Sequence, residues 1–334
     1  MNSLTKDVVI SSRIRLARNI KDVKFPIRMG EAERHSVLSD VCFALDLNDE
    51  FTKYDLSKMD NLHSLRFLEK HLISKELLDN KDIAGFCVNK NEDIVVMINE
   101  EDHIREQCFM KGYRLDEAFQ NISLIDDIII NSLNVAYDEQ LGFLTACPSN
   151  VGTGLRASCM LFLPALTMTN KISNIVSAVE RVGLTVRGLY GEGSSADGYL
   201  YQISNQICLG KSEREIIDDV KTAVEKICEM ENEAREILFN NKLNEIKDST
   251  LRAFGILSNA YIMGTKEFTK LLSQLRLGKA LGLIEFENEN ILEEIEVECQ
   301  PASLTLRYGS DLTDQTRDKF RADYLSRALR NQRI

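Results

Sequence analysis

The run Val8-Val9-Ile10-Ser11-Ser12-Arg13-Ile14-Arg15-Leu16 constrains this chain more than any other stretch. Arg13 and Arg15 alternate with Ile14 and Leu16, and successive side chains of a strand point to opposite faces, so the pattern predicts a strand. One face of it carries two guanidinium groups and the other an apolar pair. A sheet built on it has a core on one side and fixed positive charge on the other. Buried charge without a partner is costly, so the charged face requires carboxylates or an anionic ligand.

Composition narrows the class. The 334 residues suffice for about two domains, and 44% hydrophobic with 28% charged residues is ordinary for a folded globular chain. Apolar stretches such as 160–166 fall far short of the ~20 residues that span a bilayer. The N-terminus lacks a signal-peptide pattern, so a cytoplasmic protein without a membrane partner is expected. A net charge of −11 argues against direct nucleic-acid binding. The 8 cysteines form no CxxC pair and read as reduced thiols, and the 4 histidines show no zinc spacing, so no protein-built metal site is expected.

Periodicity predicts helices over 31–47, 61–79, 115–133 and 171–182, and strands over 83–88, 93–98, 142–147, 159–166, 184–189 and 199–209. Asn89-Lys90-Asn91 reads as a hairpin turn. Pro164 should close the strand over 159–166, and the glycine-rich 191–198 reads as the most flexible segment. Ser212, with Glu215 as capping-box partner, opens a long helix reaching about 240. Beyond about 236 the pattern is almost wholly helical. This divides the chain into 1–235 and 236–334.

Standard nucleotide signatures fail. Gly210-Lys211-Ser212 lacks the earlier glycine of a Walker loop, since Asn205 stands there. Gly152-Thr153-Gly154-Leu155-Arg156-Ala157 lacks the acid that a dinucleotide site needs about 20 residues on. Other features remain. Asn99-Glu100-Glu101-Asp102-His103 is either a solvated turn or a means of holding a cation. Cys147 puts a thiol at the start of a glycine-rich loop, where a lone cysteine is more often structural. Arg13, Arg15, Arg105, Arg156 and Arg187 all fall on or beside predicted strands and could surround a polyphosphate. Glu101 and Glu192 could grip a guanidinium and accept its proton as an N–P bond forms.

Five ordered motifs resemble the phosphagen kinases, the family of creatine and arginine kinases. They are Ser11-Ser12-Arg13-Ile14-Arg15, Asn99-Glu100-Glu101-Asp102-His103, Cys147-Pro148-Ser149-Asn150 with Gly152-Thr153, Arg156-Ala157-Ser158, and Arg187-Gly188-x-x-Gly191-Glu192. The resemblance implies an α+β fold, an antiparallel β-sheet flanked by helices of the glutamine-synthetase-like kind, followed by an all-α C-terminal domain. It implies Mg-ATP (ATP with Mg2+) as donor, with the five arginines on its phosphates. The nucleotide-binding segments would be Ser11, Ser12, Arg13, Ile14 and Arg15; Arg156, Ala157, Ser158, Cys159 and Met160; and Arg187, Gly188, Leu189, Tyr190 and Gly191, with Arg105 beside them. His71 falls near the family's nucleotide-contacting histidine. Glu101 takes the place of the catalytic base, Glu192 of the second guanidinium-binding carboxylate, and Cys147 of the thiol beside the guanidinium.

The phosphagen kinases carry a helical domain ahead of this core. Here the core begins almost at residue 1, and an extra helical region follows it, an arrangement similar to the bacterial protein-arginine kinases. That implies an open acceptor site for arginines exposed on protein substrates, which the acidic net charge would attract. Thr313 could cap a helix containing Arg317-Asp318-x-x-Arg321-Ala322, which is either an ordinary charged helix surface or, as the resemblance implies, an allosteric phosphoarginine pocket. The same resemblance implies a zinc-binding activator protein McsA, delivery of clients to the ClpC–ClpP protease, inactivation of a heat-shock repressor, and a homodimer or larger assembly. The rival readings are a kinase of free arginine or another small guanidine, and a non-catalytic phosphoarginine-binding adaptor.

Overall fold

The computed structural model describes residues 4–46, 51–188, 197–309, 312–330 and 332. The opening alternation forms strand β1 (Val9–Arg18), with Ile14 and Leu16 buried and Arg13 and Arg15 half-exposed on the other face. Helix α1 (Glu31–Asp46), strand β2 (Phe51–Asp55), helices α2 (Asn61–Glu69) and α3 (Lys75–Asp79), strands β3 (Gly85–Asn89), β4 (Ile94–Ile98) and β5 (Ile104–Lys111), and helix α4 (Leu115–Ser132) follow. After the small hairpin β6 (Tyr137–Asp138) and β7 (Gly142–Phe143) come β8 (Leu155–Phe162), α5 (Pro164–Met168), α6 (Ile172–Arg181), β9 (Leu184–Gly188) and β10 (Leu200–Asn205). The chain ends in helices α7 (Glu213–Asn259), α8 (Thr265–Ala280), α9 (Ile291–Glu298), α10 (Pro301–Tyr308) and α11 (Asp314–Arg330).

Eight strands make one antiparallel sheet in the order β2-β3-β4-β5-β1-β8-β10-β9. Ile14, Leu16, Ala157, Cys159 and Leu161 bury one face against Leu115, Ala118 and Ile122 of α4 and Ile217, Val220 and Val224 of α7. Val37, Val41 and Leu45 of α1 extend that layer over β3 and β4. Its fully buried apolar side chains stabilise the fold by roughly 1.5–3 kcal/mol each. On the opposite face, α2 and α3 cover only the β3–β4 end, through Leu72, Ile73 and Leu77 on Phe86, Val88 and Met97. The middle of that face stays open.

Several expected boundaries move, each for a local reason. The helix expected over 61–79 is two helices. Asp60 caps α2 by accepting from Leu62 N and His63 N at 3.0 Å, and Ser74 caps α3 by accepting from Leu77 N at 3.1 Å. Between them His71 takes a left-handed φ of 59°. The strand expected over 159–166 starts earlier and ends at Phe162, and Pro164 opens α5 instead of closing a strand, as its missing N–H allows. Only Gly142–Phe143 of 142–147 pairs as strand. The strand expected over 199–209 stops at Asn205, whose side chain accepts from Ala157 N and donates to Leu155 O, both at 2.9 Å.

Ser212 and Glu215 form the reciprocal capping box, but α7 runs on well past 240 to Asn259, with a backbone break at Lys242 (φ −134°, ψ 24°). The division expected near 235–245 therefore lies inside a helix. Ala253, Leu257, Phe268, Leu275, Ile295 and Leu325 close a separate helical core, while Ile246 and Leu277 join the core beneath the sheet. Among the described residues no helix is long and apolar enough to cross a membrane.

Candidate active site

Strands β1, β5, β8 and β9 deliver Arg13, Arg15, Arg105, Arg156 and Arg187 to one cavity of about 910 Å3 on the open face. The antiparallel register sets Arg15 opposite Arg156, Arg105 opposite Ala17, and Arg187 opposite Gln202. His71, Glu100, Glu101 and Asp102 line the same space. Sequence reasoning missed Gln202, Arg34 and Glu76, which also line it.

Positive charge is crowded here and barely neutralised. Glu100 grips Arg105 through both oxygens and accepts from Ser74 Oγ. Arg156 donates from Nη2 to Ser204 Oγ at 3.0 Å, and its buried Nε has no hydrogen-bond partner. Arg13 lies 5.3 Å from the Phe109 ring centroid. Loss of solvent, then the charges of Arg105 and Arg156, bring Arg13 down to about 9. Desolvation and Arg187 bring Arg156 down to about 10, and desolvation with three neighbouring arginines lowers Arg15 well below its ordinary value. Such a cluster is completed by a polyanion, and an orphaned guanidinium donor beside like charges fits a triphosphate. Among the described residues no group of three or more His, Cys, Asp or Glu side chains could hold a metal ion. His71 is open to the cavity, yet enclosure by protein and the charge of Arg13 lower its pKa, favouring the neutral ring.

The acidic turn after β4 splits its labour. Asn99 takes a left-handed φ of 62° and donates to Arg34 O and Ile83 O at 2.9 Å. Glu100 is committed to Arg105. Asp102 is buried and accepts from Asn19 Nδ2 at 2.7 Å and Ala146 N at 2.6 Å, tying the turn to the loop that carries Cys147. His103 is buried with both ring nitrogens used, on Ile20 N at 2.9 Å and Lys24 O at 2.7 Å. Of the three acids of this turn, Glu101 keeps its carboxylate exposed on the cavity. Partial desolvation and the charges of Asp102 and Glu100 push its pKa up.

Other expected site residues are arranged less simply. Strand alternation turns the side chains of Ser12, Ile14, Ala157 and Cys159 to the face opposite the arginines. Ile14, Ala157 and Cys159 are core, and Ser12 Oγ donates to Gly112 O at 2.8 Å. Ser11, Ser158 and Met160 share the parity of the arginines without lining the cavity, and Gly188 ends β9. Cys147 also stays off the lining. Its Sγ lies 3.1 Å from Ser149 Oγ, while its neighbours Ala146 and Asn150 reach the cavity. Leu189, Tyr190, Gly191 and Glu192, with most of the 191–198 loop, lie outside the described residues.

Arg18 is a further functional residue that pattern reading passed over. It falls on the apolar face of β1, fully buried, where it pairs with Asp126 at 2.9 and 2.7 Å and donates to Thr153 O at 2.9 Å. It thereby fixes the glycine-rich loop. At Gly154 (φ +66°) a Cβ would meet Ala17 O at 2.6 Å and Arg18 Nη1 at 2.7 Å, so only glycine fits.

In α11, Thr313 Oγ1 accepts from Thr316 N at 3.3 Å. Arg321 is buried and donates to Cys299 O at 2.9 Å, Met263 O at 2.7 Å and Asp318. Ala322 is core, and Arg317, half-buried, pairs with Asp314. This helical unit is fastened to the cavity wall. Glu69, at the end of α2, accepts from Ala302 N at 2.7 Å, Ser303 N at 2.9 Å and Ser303 Oγ at 3.2 Å, and Arg66 pairs with Glu298 at 3.0 Å.

An arginine-lined phosphate cradle facing a raised glutamate on an antiparallel sheet defines a nucleotide-dependent phosphotransferase for a guanidine acceptor. Comparison with known proteins agrees. Residues 34–234 match the ATP:guanido phosphotransferase C-terminal catalytic domain, and residues 243–333 the protein-arginine kinase McsB C-terminal domain. A protein-arginine kinase from Caldanaerobacter subterraneus subsp. tengcongensis is 44% identical over 97% of this chain and 97% of its own, and one from Bacillus subtilis is 41% identical over 97% and 90%. Among solved structures, lombricine kinase aligns with a TM-score of 0.59 at 31% identity, covering 67% of this chain and 66% of that one. The duplicated taurocyamine kinase from Schistosoma mansoni with bound transition-state-analogue components aligns with a TM-score of 0.64 at 25% identity, covering 78% of this chain and 40% of that one. The chain belongs to the ATP:guanido phosphotransferase family, on its protein-arginine kinase branch.

Proposed function

We propose that this protein transfers the γ-phosphoryl group of Mg-ATP to arginine side chains of proteins. The observation that carries the reading is the meeting of five arginines with the exposed, raised Glu101 in one cavity. The arginines hold the triphosphate in line and neutralise charge on the transferring group. Glu101 aligns the guanidinium fork and takes its proton as the N–P bond forms. The bond from phosphorus to the β–γ bridging oxygen breaks, and ADP leaves with the electron pair. Glu192 would be the second carboxylate on the guanidinium, and Cys147 the thiol beside it.

The wider roles rest on the family. The mark would send clients to ClpC–ClpP and inactivate a heat-shock repressor in the cytoplasm, with McsA as activator and a homodimer or larger as the working form. Arg317, Asp318, Arg321 and Ala322 would form the regulatory phosphoarginine site. The test is incubation with Mg-ATP and an arginine-rich protein, followed by phosphosite mass spectrometry under neutral conditions. Acid-labile phosphate on arginine is expected. Comparable turnover of free arginine would favour a small-guanidine kinase, and background ATP turnover would favour a non-catalytic adaptor.

A further inference from the structure

Ile27 is 86% exposed, yet it sits in an ordered turn and lines the cavity. The turn Pro26–Arg28 is held from several sides. Arg34 donates to Met29 O at 3.2 Å and Pro26 O at 2.7 Å, Arg28 N to Phe25 O at 2.8 Å, and Gly30 N to Glu33 Oε2 at 2.8 Å. Its bracing comes from the acidic turn. His103 bonds to Lys24 O at 2.7 Å, and Asn99 donates to the backbone of Arg34 at 2.9 Å. Ile27 is therefore tied to the acidic turn that carries Glu101. Glu76, exposed in the first turn of α3, also lines the cavity, and its charge reaches Glu101.

We propose that Ile27 is an acceptor-side subsite for an apolar side chain adjacent to the target arginine on a client polypeptide, with Glu76 on the same rim discriminating against an acidic neighbour. The inference rests on the protein-arginine reading above and specifies its substrate class. A free guanidine has no flanking residue to cover Ile27, whereas a polypeptide carries one on either side of its target arginine. Covering an apolar side chain that is already held in place releases water at little ordering cost. A methylene or two in an apolar subsite is worth about 10-fold in discrimination, so a shallow rim contact should give several-fold.

The test uses the full chain with Mg-ATP and short peptides bearing one arginine flanked by Leu, Gly or Asp, with free arginine as a further acceptor. The wild type should favour the Leu-flanked peptide over the Gly-flanked one by about 3–10-fold in kcat/KM. Ile27→Ala should erase that preference by raising KM, with kcat and the KM for ATP unchanged. Because Ile27 is exposed, the variant should melt with the wild type. Glu76→Gln should relax discrimination against the Asp-flanked peptide. Peptide turnover indifferent to the flanking residue, or a preference that survives Ile27→Ala, would overturn this inference alone. Turnover of free arginine with none of any peptide would overturn the acceptor class, and the inference with it.

Discussion

Arg15 of β1 and Arg156 of β8 stand directly opposite each other across an antiparallel ladder. Like charges in that position destabilise a sheet, and here both lose solvent as well. Folding alone would not select the pair; a triphosphate between them would. Stability and activity should therefore separate at this site. Arg15→Met is expected to raise the stability of the ligand-free protein by about 0.5–1 kcal/mol in denaturant unfolding. The same variant should lose most of the thermal stabilisation by Mg-ATP, about 2.7 kcal/mol for the wild type at 100-fold excess over Kd. A variant that is less stable without ligand and still protected by nucleotide would contradict this account.

Much of this arrangement was readable from residues alone, because it follows from a period of two. Arg13 and Arg15 against Ile14 and Leu16 gave the strand, its faces and the need for an anion. The same rule should have turned Ser12, Ile14, Ala157 and Cys159 to the face opposite the arginines; reading motifs as contiguous blocks hid it. Strand β5 escaped because Glu106 and Gln107 interrupt its apolar run, although both are buried. Arg18 escaped because its partner Asp126 lies 108 positions away. The break at His71 was signalled by Ser74, a capping residue inside a helical period.

Glu101→Gln is expected to cut kcat by about 10²–10⁴ with little change in the KM for ATP. In the wild type the acidic limb of the kcat/KM profile should lie above the ordinary glutamate range, because the folded protein raises this carboxyl. The sign for stability follows. The folded state binds the proton more tightly than the unfolded chain, so Glu101 lowers stability as pH rises from the unfolded to the folded pKa, and the cost persists above it. Glu101→Gln should thus be slightly more stable than the wild type at pH 8 and indistinguishable at pH 4. Equal stability difference at both pH values would argue against the raised carboxyl.

Glu69→Ala removes the acceptor for two backbone amides and one hydroxyl at the start of α10. A lost cap costs about 1 kcal/mol. Since α2 also supplies Leu68 and leads directly into His71 on the cavity wall, the KM for ATP should rise several-fold while kcat stays near wild type. Glu69→Gln, whose one amide oxygen replaces only one of the two accepting carboxylate oxygens, should recover part of the loss. A fall in stability with an unchanged KM for ATP would show that the contact fastens the helical unit without shaping the nucleotide site.

Arg317 and Arg321 share a motif but not a physical role, and this decides how the proposed regulatory site must be probed. Arg321 is 1% exposed, and its removal would strand the carbonyls of Cys299 and Met263 and the carboxylate of Asp318. Buried groups left unpaired cost about 1–3 kcal/mol each, so Arg321→Ala should unfold much of the helical unit whether or not it binds a ligand. Among the described residues Arg317 pairs with the exposed Asp314, an interaction worth about 0–1 kcal/mol. Arg317→Ala should therefore melt within a few degrees of the wild type while losing calorimetric binding of free phosphoarginine. Because Arg317 does not line the active-site cavity, the variant's basal kinase rate on a peptide should persist. Undiminished phosphoarginine binding by Arg317→Ala would remove this helix face from the regulatory scheme and leave Arg321 as a purely structural pin between α9 and α11.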